Sequence, residues 1–418
     1  VMLLDGGDVM EKGDMVAYET QSRVMYEAMK KMGYTAGAIG NHDLDQGVAY
    51  VNECSALAGY PLLCINHFNE DGTLAFTPST IVDVKGVKIG IIGMTNIRTS
   101  IENDGSLLAE EAKRLEPQVD MTVVVAHIGS RECAELSRYA PEVDLFLSAH
   151  THELLKEPVV VPETKALIVQ AGHYSRHIGH LEVTVDLDTK TIAAYDGKIV
   201  EMAHDTIKPD VEMISWIKQM EQEYCPEATE IVGKASAAIR ATGVALLAAN
   251  AIKEYAGVDA AFCHTSQIIR NGIFPGEVTV NDLFRTGGQR GCILVSCTMT
   301  GAQIEAYLLG LVQEKRGKTE WAGFQANLNY DGKDRVWSIE SSLSKEDSYT
   351  VIMPHREWIK RFVRVAENRK EFEHYDLEIP PETEFTFTSA LAAYARKITL
   401  AGNTINEQVE RLFVGRNL

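Results

Sequence analysis

The residues best equipped for chemistry in this chain occur in four places, each directly after an apolar run. "MLLDGGD" ends in Asp8. "AGAIGNHDLD" supplies Asn41, His42, Asp43 and Asp45. "VVVAH" ends in His127, and "LFLSAHTH" supplies His150 and His152. Carboxylate, amide oxygen and imidazole make a mixed oxygen–nitrogen donor set, which suits Zn, Mn, Fe or Co better than Ca or Mg. No thiolate is offered, so a closed structural zinc site is not expected. A carboxylate such as Asp8 can bridge two ions. Two ions can hold a hydroxide and neutralise a phosphoryl group under in-line attack. Asp45, three residues after His42, can fix the tautomer and orientation of that imidazole. Singly, each group has an ordinary alternative: Asn41 as a turn residue, Asp8 as a loop or cap residue. Four apolar runs that each end in ligands point instead to a metal site. His67, His173, His177, His180 and His204 lack that placement and are expected to be structural, although His173 in "QAGHYSRHIG" can lie near the site.

Elements must bring these remote positions together. Residues at the carboxyl ends of sheet strands converge on one crevice, where α/β proteins place ligands. Residues 1–205 alternate strand-like and helix-like pieces, with helices early and strands late. This predicts a layered α/β domain built on sheets. Asp14 is placed to cap one helix running to Met32, with Gly33 as its stop. "IVDVKGVKIGIIGMT" predicts two strands joined at a Lys-Gly turn. Residues 206–226 predict one connector helix capped by Asp210 and ended before Pro226. A second domain is expected over 227–418.

The chain has 418 residues, so two domains are the natural expectation. Lys and Arg number 40 against 59 Asp and Glu, a net charge of −19. That excludes an extended nucleic-acid surface, which needs clustered cations. It does not exclude a phosphorylated small molecule, because a metal reverses the field locally. The seven cysteines form no CxxC pair and are odd in number. Most of them, such as Cys64 and Cys263, sit inside apolar runs and are expected to be core filler. No apolar run is long enough to span a bilayer. The first residues, "VMLLDGGDVM", read as a strand and its loop in mid-fold, so further sequence is expected upstream.

"DGGD", "GNHDLD", "VVVAH" and "SAHTH" resemble the motifs of the dinuclear, calcineurin-like metallophosphoesterases. With the connector and the second domain, the whole chain resembles the 5′-nucleotidase and 2′,3′-cyclic-nucleotide phosphodiesterase family. The resemblance implies a four-layer α/β/β/α sandwich followed by a separate α+β C-terminal domain that binds the nucleoside. It implies two divalent transition-metal ions (Zn, Mn, Co or Fe), with Asp8 as the bridging aspartate. Asn41, His127 and His150 fall on ligands of one ion and His152 on a ligand of the other. His42 and Asp45 fall on the catalytic His–Asp pair. The family's opening Asp-x-His pair does not occur before Asp8, so within this chain only one ion has a nearly full set. In "HTSQIIRNGIFPGEVTVNDLF", Arg270 matches the arginine that grips the anionic end of the substrate. Phe324 in "WAGFQANLNYD" matches an aromatic that stacks on the base. Trp358 in "HREWIKRF" is the candidate for a second stacking aromatic, and core packing is the alternative for both. The family's Pro-Phe-Gly is replaced by "TGGQRG", Thr286 to Gly291.

The implied activity is hydrolysis of nucleotide phosphoesters through a metal-held hydroxide. The implied partner is a small-molecule nucleotide or other phosphate ester, and the expected location is extracytoplasmic. The rival expectations are a nucleotide- or metal-binding protein without turnover and a hydrolase of another phosphate or sulfur ester. Oligomeric state is left open.

Overall fold

Asp14 does start a helix, but two helices form where one is predicted. Helix α1 spans Met15–Glu19 and α2 spans Arg23–Met32. Between them Gln21 and Ser22 both take positive φ, 49° and 69°, and the helix cannot continue through them. The break has a structural reason. The chain divides into two compact units, one of residues 1–12 and 19–218, the other of 13–18 and 219–418. Nearly all of α1 therefore belongs with the second unit, and α2 with the first. This computed structural model describes residues 1–418 except Lys12, 97–98, 203–206, Asp334 and 417–418. His204 lies outside the described residues.

Two sheets make the first unit. Strands β1 (Leu4–Asp5), β2 (Ala36–Ala38) and β3 (Leu62–Leu63) are all parallel. The larger sheet contains β4 (Ser79–Val84), β5 (Val87–Met94), β6 (Met121–Ala126), β7 (Leu145–Ser148), β8 (Val159–Val160) and β9 (Leu167–Val169), in the order β4-β5-β6-β7-β9-β8. Its centre is parallel and its two edges antiparallel. The Lys85–Gly86 turn between β4 and β5 has φ of 56° and 88°, as the two-residue hairpin expectation requires.

Alternation along the strands builds the layers. Ile89, Ile91, Val123, Val125, Leu145 and Leu167 point inward and pack with Ala36, Ala38 and Leu63 of the other sheet. Their neighbours Ile92, Met94, Val124, Ala126, Phe146 and Ile168 point outward. That outer face is covered by α4 (Ile101–Leu115) and α5 (Ser130–Ser137) through Leu108, Ala112, Cys133 and Leu136. The small sheet is covered by α2 and α3 (Val48–Ala58) through Tyr26, Met29, Val51 and Cys54. The layers thus run α/β/β/α. A strand buried on both faces must be apolar throughout, which is why "MTVVVA" lacks alternation. A long antiparallel hairpin, β10 (His177–Asp186) with β11 (Thr191–Glu201), completes the unit.

The connector is helix α6, Val211–Tyr224. The Asp210 carboxylate caps it by accepting from the amides of Glu212 and Met213, both at 2.9 Å. The second unit holds a four-stranded mixed sheet of Leu294–Thr300, Ser348–Pro354, Ala260–His264 and Thr319–Ala322, in that spatial order. Its core includes Phe262, Tyr307, Trp321, Met353, Trp358 and Phe362. Segment 13–18 is held there by polar contacts. Arg285 donates to Asp14 Oδ2 from Nε and Nη2 at 2.9 and 2.6 Å, and buried Asn281 donates to the same oxygen at 3.0 Å while accepting from Met15 N–H.

Candidate metal centre

Strands β1, β2, β6 and β7 each deliver polar groups just past their carboxyl ends. Turning the chain there demands unusual backbone. Asp8, His150 and His152 have φ of 66°, 62° and 61°, in the left-handed region. Such residues cost about 1–3 kcal/mol each and collect where function over-determines the geometry. Gly40 is required for another reason: a Cβ there would land on Asp8 Oδ1.

His127 is the hub. It is 2% exposed, and its Nδ1 lies 2.7 Å from the Gly6 carbonyl oxygen. A carbonyl only accepts, so Nδ1 carries the proton. Nε2 then faces three donor atoms at 3.2 Å each: Asp8 Oδ2, Asn41 Oδ1 and His150 Nδ1. A lone pair set against a carboxylate and an amide oxygen is repulsive, and a proton on His150 Nδ1 would satisfy only one of the three contacts. Only a second proton or a cation reconciles the four. Burial opposes the charged form of His127, but the hydrogen bond and charge of Asp8, with the Gly6 carbonyl, push its pKa up. Burial likewise opposes ionised Asp8, but His127 and the His42 amide hold its carboxyl below the usual range. His150 is pushed down by burial and then by the neighbouring His127.

The same set has the chemistry of a divalent transition-metal site, and the second-nitrogen bond to a backbone carbonyl is the usual way a metal-bound imidazole is oriented. Among the described residues no group of three or more His, Cys, Asp or Glu is already disposed to hold an ion. Here the fourth donor is an amide and the donor atoms touch one another.

His42 lies beside this cluster. Its N–H donates to Asp8 Oδ1 at 2.8 Å, and its Nδ1 lies 3.4 Å from Asp45 Oδ2. Both side chains are substantially exposed, 42% and 61%. His152 is not one of the three side chains at His127 Nε2. Its ring stacks on His173 at 4.6 Å, so His173 does lie next to an expected ligand.

The expected substrate residues are more scattered. Arg270 is partly exposed, and its amide donates to the Thr286 carbonyl at 2.7 Å. Phe324 is partly exposed and stacks on Trp321, with centroids 6.1 Å apart. Strand register puts the Phe324 loop at the Ala260 end of its sheet, whereas Arg270 follows the His264 end. Trp358 is a correction. It is 0% exposed, stacked on Phe362 at 4.2 Å inside the core, and offers no face to a base. The segment after Pro354 turns inward as helix, and its first large aromatic fills the core. Asp43 reads in the sequence only as one more donor in its run. Its 1% exposure and its hydrogen bonds to the Asp8 and Gly40 amides give it another place in the site.

Comparison with known proteins bears on the family of the chain. Residues 1–154 match the model of the calcineurin-like phosphoesterases, and residues 227–355 match that of the 5′-nucleotidase C-terminal domain. The endonuclease YhcR of Bacillus subtilis is 26% identical over 270 residues, 56% of this chain, and the match spans only 22% of that protein's length. A 5′-nucleotidase of Vibrio cholerae is 22% identical over 378 residues, covering 74% of this chain and 67% of its own. The structure of a 5′-nucleotidase precursor from Thermus thermophilus superposes with a TM-score of 0.67 at 20% identity, over 95% of this chain and 87% of that one. No helix among the described residues is long and apolar enough to cross a membrane. The two matched domains in this order identify the chain as a member of the calcineurin-like phosphoesterases that carry a 5′-nucleotidase C-terminal domain, a family of metal-dependent hydrolases acting on phosphoester bonds.

Proposed function

We propose that this chain hydrolyses phosphate esters of nucleosides, releasing phosphate from a 5′-nucleotide or opening a 2′,3′-cyclic one. The observation that carries the reading is the meeting of Asp8, Asn41 and His150 at His127 Nε2, with the His42–Asp45 pair alongside. Divalent cations held by Asp8, Asn41, His127, His150 and His152 would neutralise the phosphoryl oxygens and acidify a water into a nucleophile. Asp45 keeps the His42 Nδ1 proton, which orients the ring. Protonated His42 then donates from Nε2 to the charge that develops on phosphorus-bound oxygen or to the leaving oxygen. In the second unit Arg270 presents its planar fork to the anionic end of the substrate, and Phe324 stacks on the base.

The test is phosphate release from a panel of 5′- and cyclic nucleotides with Mn or Zn added. Turnover is expected, and His42→Ala should lower kcat by about 10²–10³-fold with metal still bound. Bound metal without turnover of any nucleotide would sink the reading. A second reading, another phosphate or a sulfur ester, is favoured by the replaced loop. Gly287 sits at a non-helical φ of 169° inside helix Val280–Gly291, where the family has Pro-Phe-Gly. Side-by-side kcat/KM values for nucleotides and sulfur esters decide between them. By family resemblance we also propose an extracytoplasmic location, to be checked by cell fractionation.

A further inference from the structure

Asp43 has no part in the chemistry described above, yet its carboxylate is the most heavily committed group near the metal centre. Oδ2 accepts from the amides of Asp8 at 2.8 Å and Gly40 at 2.7 Å. Oδ1 accepts from the amide of Met10 at 3.0 Å and from the Tyr26 hydroxyl at 3.4 Å. Every partner is a donor, so both oxygens already have their complement of hydrogens. This carboxylate is occupied as an acceptor of protein hydrogens and is not offered to a cation.

The two loops grip each other reciprocally. Asp43 takes the amide of Asp8, and the carboxylate of Asp8 takes the amide of His42, the residue before Asp43. Asp8 sits at a φ of 66°, an uncommon value for a non-glycine residue that a constraint on its backbone helps to hold. The bond from its amide to a buried carboxylate is such a constraint. Gly40, the other amide on Oδ2, precedes Asn41. A single carboxylate therefore fixes the backbone at one candidate ligand and next to a second.

We propose that Asp43 is a positioning residue, which pre-sets Asp8 and Asn41 for a divalent cation without ligating it. This rests on the metal-centre reading. Outer partners of this kind are worth about 10–100-fold in metal affinity or activity.

The experiment titrates Mn(II) into the metal-stripped full-length protein, wild type first. Asp43→Asn turns an NH₂ group towards hydrogens that need an acceptor. Its affinity for Mn(II) should fall by about 10–100-fold with near-ultraviolet circular dichroism unchanged. Tyr26→Phe removes only the longest of the four bonds and should cost less than about tenfold. A folded Asp43→Asn protein that binds Mn(II) as tightly as wild type overturns the proposal, as does one whose only change is a lower Tm. Should Asp43→Asn fail to fold, amide hydrogen exchange in metal-free wild type takes its place. Slow exchange at Asp8, Met10 and Gly40 is expected, and unprotected rates there overturn the proposal. Wild type that binds no Mn(II) overturns the metal-centre reading itself, and this outcome is seen before any variant is made.

Discussion

In the first unit, four side chains separated by up to 142 residues (8 to 150) meet around one nitrogen atom. In the second, the three residues expected to meet a substrate follow three different strands and differ in exposure from partly open to fully buried. The difference lies in what fixes each set. Within each of the two sheets the parallel strands point the same way, so their carboxyl ends line one edge, and the donors from β1 and β2 of one sheet meet those from β6 and β7 of the other. An aromatic residue past a strand has two stable fates, a binding face or the core, and its type does not choose between them.

Substitutions can sharpen or break this contrast. His150→Gly keeps the left-handed backbone and removes a donor atom. It should lower kcat/KM for nucleotide hydrolysis by more than the roughly 10–100-fold that loss of an outer partner costs, measured with saturating Mn(II). A loss below tenfold would mean that the first-unit cluster is no more functional than the second-unit residues. Trp358→Ala should cost about 3–5 kcal/mol of unfolding free energy, read from denaturant melts. Its effect on KM should be the same for nucleotides and for p-nitrophenyl phosphate. A nucleotide-selective rise in KM would return Trp358 to the substrate side.

Arg270→Ala should raise KM about tenfold, on the order of a charge-assisted hydrogen bond worth 1.5–3 kcal/mol, and Arg270→Lys should not restore it. An unchanged KM removes Arg270 from substrate binding. Phe324→Ala is the smallest step. The loss of an aromatic contact worth about 0.5–1.5 kcal/mol predicts a few-fold drop in kcat/KM for nucleotides. None is expected for p-nitrophenyl phosphate, and equal losses on both would assign Phe324 to packing.

The same contrast accounts for what can be read from sequence. "VVVAH" announces both a doubly buried strand and the residue at its tip, and His127 lies at the centre of the cluster. The Lys85–Gly86 hairpin follows from turn chemistry alone. The break at Gln21–Ser22 does not, because an intact helical stripe carries no sign that its first turn packs with another unit. Asp43 is visible as a carboxylate among ligands, but three of its four partners are backbone amides, and amides leave no mark in a sequence. Trp358 misleads because its burial is decided by the helix it enters, not by the strand it leaves.

Asp14 and Arg285, joined within the second unit, are 271 positions apart in the chain. During synthesis the first piece of the later body leaves the ribosome early and has to wait while some two hundred residues of the other body are made. Long-range closures of this kind slow folding. They also mean that cutting the gene once within α6 would not yield two intact proteins. The downstream fragment would be missing the acid that its own guanidinium was built to hold.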